Sequence, residues 1–150
     1  QELDARDTPV VLVLFGDHKP WMGNGGSVYE EMGIDFDTST LAGFRNYYAT
    51  PYLIWANRAA KEVLGADFTG DGGDFSPCFL MTRLFDACGW AGPGYMQLSR
   101  AMRDISPLLH TNGLFLHDGV LTSVLSDTDR SFYRSWLAVQ YYREHVAAYS

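Results

Sequence analysis

Long hydrophobic runs are scarce in this chain. No apolar stretch approaches the roughly 18–20 residues that a bilayer-spanning helix needs. Cysteine is also scarce, with two in 150 residues, too few for a disulfide scaffold. If Cys78 and Cys88 share one helix, they stand about 15 Å apart along its axis, beyond the reach of a bond. Cysteine usage therefore leaves the compartment open. Basic residues are outnumbered, 11 Lys and Arg against 18 Asp and Glu, for a net charge of -7. No Lys/Arg run is present, so a nucleic-acid backbone would be repelled, and we expect no nucleic-acid partner. A phosphate-cradling glycine loop and a Ser-His-Asp order are both missing. So are internal repeats and low-complexity tracts. The sequence begins at Gln1 without a basic segment followed by an apolar one. We read this as a piece of a longer protein, or one from which something was removed.

What is there is an ordinary globular composition, 47% hydrophobic and 19% charged, which argues against disorder. Thr8–Phe15, TPVVLVLF, is an unbroken apolar run. Its length and β-branching predict a strand covered on both faces, as in a parallel sheet. Gly16 ends it, and Asp17-His18-Lys19-Pro20-Trp21 forms a loop where open α/β sheets place ligands. Residues 22–50 read as a long excursion with a short helix over Thr38–Tyr47, the kind of insertion that covers a cleft. Pro51–Ala56 predicts a second core strand ended by Asn57. Gly65–Gly73 is loop. Ser76 and Pro77 predict a helix cap and first turn, with Gly89 as the C-terminal stop. A shorter helix is expected over Tyr95–Arg103. His117-Asp118-Gly119 predicts a hairpin turn between Leu114–Leu116 and Val120–Val124. A long helix follows over Thr128–Ala148, capped by Ser126 or Asp127, with Phe132, Trp136, Val139 and Val146 near one face. Phe79, Phe85, Phe132 and Trp136 are expected on buried faces.

The expected fold class is α/β in two pieces. Residues 1–104 supply strands and helices of a sheet core. Residues 105–150 supply a small antiparallel hairpin and the terminal helix. Only one good partner strand accompanies VVLVLF, so the chain looks short of strands, a second hint of a longer parent.

Asp17 and His18 carry the sharpest chemical signal. A carboxylate and a neutral imidazole at a rigid strand end can ligate one transition metal. Such an ion normally takes about four ligands, so the others must come from elsewhere. Lys19 could offset phosphate charge, and Trp21 could line a substrate groove or pack down on the sheet. Other clusters are weaker. Asp67, Asp71 and Asp74 have the wrong spacing for a calcium loop. Asp35-x-Asp37-x-Ser39 starts better, but Thr40 stands where the turn glycine belongs. Both read as solvated loops. His110, His117 and His145 read as structural or surface residues.

The segment VVLVLFGDHKPWMG, followed in order by YYATPYLIWAN, DFSPCFLMTRLFDACGW, the Asp-Gly hairpin and the terminal helix, resembles the C-terminal part of lipoteichoic acid synthase-like phosphoglycerol transferases. These are sulfatase-fold members of the alkaline phosphatase superfamily. The resemblance implies an α/β sandwich with a smaller antiparallel C-terminal subdomain. It implies an extracytoplasmic catalytic head on a membrane-anchored parent. It implies one divalent metal, manganese or magnesium first and zinc or calcium as alternatives. The metal is held by a Glu, a nucleophilic Thr and an Asp-His pair, of which only the pair, Asp17 and His18, is matched here. No nucleophile is matched, so no catalytic residue is assigned in this chain, which by itself would be inactive. The missing N-terminal half is then the expected partner, and a phospholipid or anionic polymer the expected substrate. Sulfate-cleaving relatives more often carry Asn or Gln after the Asp, so His18 favours phosphoryl over sulfuryl chemistry. The mechanism implied is a two-step displacement through a glycerophospho-enzyme.

A competing expectation is a non-catalytic module that binds envelope glycans or lipids through Trp21, Tyr47, Tyr48, Trp90 and Tyr141. Exposed rings would favour it, and burial of most of them would exclude it.

Overall fold

A computed structural model describes residues 2–146. The chain divides into two compact units, Gln1–Phe68 and Thr69–Ser150. Both mix helix and strand, and each contains one small antiparallel sheet.

The first unit holds β1 (Val11–Phe15), α1 (Ser27–Glu31), α2 (Leu41–Tyr48), β2 (Tyr52–Ala56) and α3 (Arg58–Leu64). β1 pairs antiparallel with β2, from Val11 opposite Ala56 to Phe15 opposite Tyr52. This corrects the expectation of a strand covered on both faces in a parallel sheet. None of the five β1 residues is buried. An apolar, β-branched run fixes extended backbone, but it does not supply the neighbours that cover it.

The helices in this unit begin at side-chain caps. The Thr40 hydroxyl accepts from the Gly43 amide at 3.0 Å, which starts α2 inside the expected Thr38–Tyr47 window. Asn57 ends β2 as expected and also caps α3, accepting from the Ala60 amide at 2.9 Å. Gly65, at φ 64°, closes α3 in the left-handed conformation. Phe44, Ala56, Ala59 and Ala60 are buried, together with the polar Asn57.

The second unit holds a 3-10 turn at Pro77–Phe79, α4 (Leu80–Ala87), α5 (Gly94–Ile105), β3 (Phe115–His117), β4 (Val120–Thr122) and α6 (Asp127–His145). Ser76 does not cap the turn. Its hydroxyl instead accepts from the Leu109 amide at 2.8 Å and faces the Leu109 carbonyl at 3.1 Å. A long-range pair of bonds has replaced the local one. Gly89 has the positive φ its stop position requires. Both cysteines are free, Cys78 exposed and Cys88 buried.

The hairpin forms as expected. Asp118 and Gly119 both adopt positive φ, which a two-residue turn matched to strand twist demands. Ser126 caps α6, accepting from the Asp129 amide at 3.1 Å and donating to the Asp129 carboxylate at 2.6 Å. Asp127 and Asp129 in the first turn, and Arg143 and His145 in the last, complement the helix dipole. Ala147 and Ala148, the end of the expected helix, lie outside the described residues. Val146, placed near the buried face from sequence, is exposed.

Phe79, Met102 and Trp136 form the core of this unit, with Phe75, Leu98, Ile105, Leu109, Phe132 and Tyr133 around them. Phe79 and Trp136 are buried as expected; Phe85 and Phe132 are only partly so. The indole of Trp136 donates to the Ser99 hydroxyl at 3.1 Å and ties α6 to α5. The two helices therefore share one core. The dividing line between the two units falls between Phe68 and Thr69.

Candidate functional site

β1 delivers the chain through Gly16 to Asp17, His18, Lys19 and Trp21. Gly16 is pinned on both sides: its amide donates to the Pro51 carbonyl at 3.0 Å, and its carbonyl accepts from the Thr50 hydroxyl at 2.6 Å. The loop thus starts from a fixed point. All four sequence-selected residues line one concavity of about 270 Å³. Four aromatic side chains complete it: Tyr29, Phe36, Tyr47 and Tyr48.

The Asp17 carboxylate accepts from the His18 amide at 2.9 Å. The His18 Nδ1 lies 3.0 Å from the Lys19 carbonyl. With the proton on Nδ1, that bond fixes the tautomer and leaves the Nε2 lone pair free. Nε2 stands 3.7 Å from Asp17 Oδ1, and the two side chains are 78% and 81% exposed. An ion with ligand bonds of about 2.0–2.2 Å can reach two donor atoms at that separation. The pair therefore fits part of a coordination shell. Among the described residues, no group of three or more His, Cys, Asp or Glu side chains could hold one ion. Two ligands alone give weak binding and no enclosed site.

Lys19 is half-buried. Its ammonium donates to the Asn46 carbonyl and lies 6.0 Å from the centroid of Phe36. It therefore anchors the loop to α2. Trp21 is exposed and meets Tyr47 edge-on at 5.9 Å between centroids. Gly26 makes room for it: at φ 84°, an added Cβ would come within 3.3 Å of the indole. Tyr29 donates its hydroxyl to the Pro20 carbonyl, and its ring packs on Phe36 at 5.0 Å. Phe36 in turn meets Tyr47 at 5.5 Å.

Sequence reasoning singled out Tyr47 and Tyr48 only as candidate ligand-binding rings and missed Tyr29 and Phe36. The available signal was the excursion over 22–50, which does return to cover the loop. The other rings of the competing expectation lie in the second unit. There Trp90 packs edge-on against Phe85 at 5.4 Å, and Tyr141 stacks on His145 at 4.2 Å.

The weaker clusters turn inward on their own backbone. Asp35 accepts from the Asp37 amide at 2.8 Å. Asp37 accepts from both the hydroxyl and the amide of Ser39, bonds that hold its carboxyl below the usual range. Asp71 accepts from the Gly73 amide at 2.8 Å. His117 Nδ1 faces the Ile105 carbonyl at 3.1 Å, and His145 Nδ1 faces the Tyr141 carbonyl at 3.0 Å. A second concavity, about 340 Å³, lies beside Asp86 and Arg103. Asp86 is already held by two guanidiniums, Arg100 at 2.7 Å and Arg103 at 2.6 Å.

No protein-family model matches the chain, and no curated protein or solved structure matches it. No helix among the described residues is long and apolar enough to cross a membrane.

Proposed function

We propose that this chain supplies two ligands, Asp17 and His18, to the divalent-metal centre of a phosphoglycerol transferase or sulfatase-like hydrolase acting on an envelope lipid or polymer. The fold behind this reading is the C-terminal part of a sulfatase-like α/β sandwich, completed by polypeptide outside this chain. The observation that carries it is the 3.7 Å separation of Asp17 Oδ1 and His18 Nε2 at the mouth of an aromatic-lined concavity. Manganese or magnesium is the preferred ion, with zinc or calcium as alternatives. When bound, it supplies Lewis acidity toward a phosphate oxygen and lowers the pKa of a hydroxyl nucleophile.

Asp17 and His18 bind the ion. The His18–Lys19 carbonyl bond orients the imidazole. Lys19 holds the loop to α2, and Trp21 with Tyr47 and Tyr48 offers apolar surface to the substrate. The remaining metal ligands and the nucleophile come from the partner polypeptide. In this reading the parent enzyme lies outside the cytoplasmic membrane and is anchored in it.

The test is metal-dependent hydrolysis of a phosphatidylglycerol analogue by this chain joined to the polypeptide that provides the nucleophile. Asp17→Ala should abolish the manganese-dependent rate. Undiminished activity in that variant overturns the reading.

A second reading has one observation in its favour. Trp21, Tyr47 and Tyr48 are exposed and line the same concavity. In that reading the concavity is a glycan- or lipid-binding surface with no catalytic role. Binding of an oligosaccharide or lipid headgroup that is lost in Trp21→Ala, but indifferent to metal and to Asp17→Ala, would favour it.

A further inference from the structure

β1 is the most apolar segment of the chain, yet among the described residues it has only one strand beside it. The bonds at its two ends fix which way its backbone groups point. Asn57 donates its amide to the Val10 carbonyl at 3.0 Å, and Gly16 donates to the Pro51 carbonyl at 3.0 Å. In an antiparallel ladder the bonded positions alternate, so residues 10, 12, 14 and 16 face β2. Val11, Val13 and Phe15 then turn their N–H and C=O groups to the opposite edge. These groups make no hydrogen bond among the described residues.

Natural sheet edges are usually blunted by a lysine, a proline, a bulge or an inward charge. Val11–Phe15 has none of these. Its last two side chains are not covered either: Leu14 is 53% and Phe15 61% exposed, and Leu53, opposite Leu14, is 51% exposed. A two-stranded ribbon of this length is at best marginally stable alone. Edge geometry and side-chain exposure thus point to the same missing neighbour. Its form is set by the edge itself, because only extended backbone matches donors and acceptors at every second residue.

We propose that the outer edge of β1 accepts a β-strand from a partner polypeptide, an apolar segment of about five residues flanked by lysine or arginine. The charge of the partner follows from the flanks. Asp17 follows β1 and is exposed, and Asp7, which precedes it, is almost fully exposed with the Arg58 guanidinium 3.3 Å from its carboxylate. The unit Gln1–Phe68 carries ten acidic against five basic side chains, most of the chain's negative charge. A second copy of this unit would bring like charge to the edge, whereas a strand with basic ends is drawn to it. The β1 backbone edge is separate from the proposed metal ligands, but Asp17 is shared with them, so the peptide is tested without divalent cation.

The probe is a synthetic ten-residue peptide of alternating Val and Thr with two Lys at each end. Two further peptides serve as comparisons, one with Glu in place of Lys and one with alternate backbone amides methylated. Amide hydrogen exchange of the full chain is read residue by residue. The Lys-ended peptide should slow exchange at Val11, Val13 and Phe15 at least tenfold. Leu12 and Leu14, already in the ladder, should change little. Added salt should weaken the effect, and the methylated peptide should lack it. Val13→Pro, which removes an outward donor, should lose the protection, while Val13→Thr should keep it. Equal protection by the Glu-ended peptide, or none at the three outward amides in either the native chain or Val13→Thr, overturns the proposal. Protection that rises with protein concentration in the absence of peptide would assign the edge to a second copy and overturn it as well.

Discussion

The side-chain amide of Asn57 donates to the Thr8 carbonyl at 2.9 Å, across 49 residues of sequence. The same nitrogen lies 3.1 Å from the Arg6 carbonyl and 3.2 Å from the Leu3 carbonyl. On its other side, Oδ1 accepts from Val10 at 2.9 Å and from Ala60 at 2.9 Å. One fully buried polar side chain thus fastens the segment before β1, the end of β2 and the first turn of α3. Asn57→Ala leaves backbone groups unpaired at all three places. We expect it to destabilise the first unit by about 2–4 kcal/mol, combining a lost cap with unsatisfied buried groups. Urea unfolding followed by Trp21 and Trp55 fluorescence checks this; a loss below about 0.5 kcal/mol contradicts it.

Gly43 sits in the first turn of α2, where an added Cβ would come within 2.1 Å of the Asp37 carbonyl oxygen. Elsewhere in a helix, replacing Gly by Ala gains about 1 kcal/mol. Here the clash is with backbone and cannot be relieved by turning a side chain. Gly43→Ala should therefore destabilise, by about 1–3 kcal/mol, and should loosen Tyr47 and Tyr48 on the same helix. Thermal unfolding gives the sign, and a raised midpoint refutes the argument.

Asp86 is held between Arg103 and Arg100. Partial burial pushes its pKa up, but the hydrogen bonds and charges of the two guanidiniums outweigh that and leave it below the ordinary carboxylate value. A lowered folded-state pKa means the unfolded chain binds the proton more readily. The stabilisation is fully present above the unfolded value of about 3.9, and it is lost as pH falls through the lower folded value. Asp86→Asn should cost about 1–3 kcal/mol at pH 7, and the difference from the parent should shrink in acid below that range. Urea midpoints at the two pH values measure it. A gap that stays constant contradicts the assignment.

Much of the fold was legible because its signals are local. Gly89, Ser126 and the Asp118-Gly119 turn act within four residues of themselves, and each stands where its type predicts. What stayed hidden depends on distant partners. Asn57 reads as the end of a strand, and only the folded chain reveals its hold on Leu3, Arg6, Thr8 and Val10. Ser76 has the sequence signature of a cap, yet Leu109 claims its hydroxyl. TPVVLVLF predicts extended backbone correctly, but pairing direction and coverage depend on the chain around it. The site divides in the same way. Asp17, His18, Lys19 and Trp21 lie within five consecutive residues. Tyr29 and Phe36 reach the concavity only because the excursion folds back, and no spacing rule marks them.

The central claim is that Asp17 and His18 bind one divalent cation together. It is tested most directly by titrating the chain with Mn²⁺ and recording paramagnetic broadening of its amide and imidazole resonances. The account predicts broadening centred on Gly16–Lys19 and the His18 ring. The effect should disappear in Asp17→Asn and in His18→Gln, while Asp35, Asp37 and Asp71 stay unaffected. Broadening spread over the acidic surface and unchanged by either substitution would contradict it.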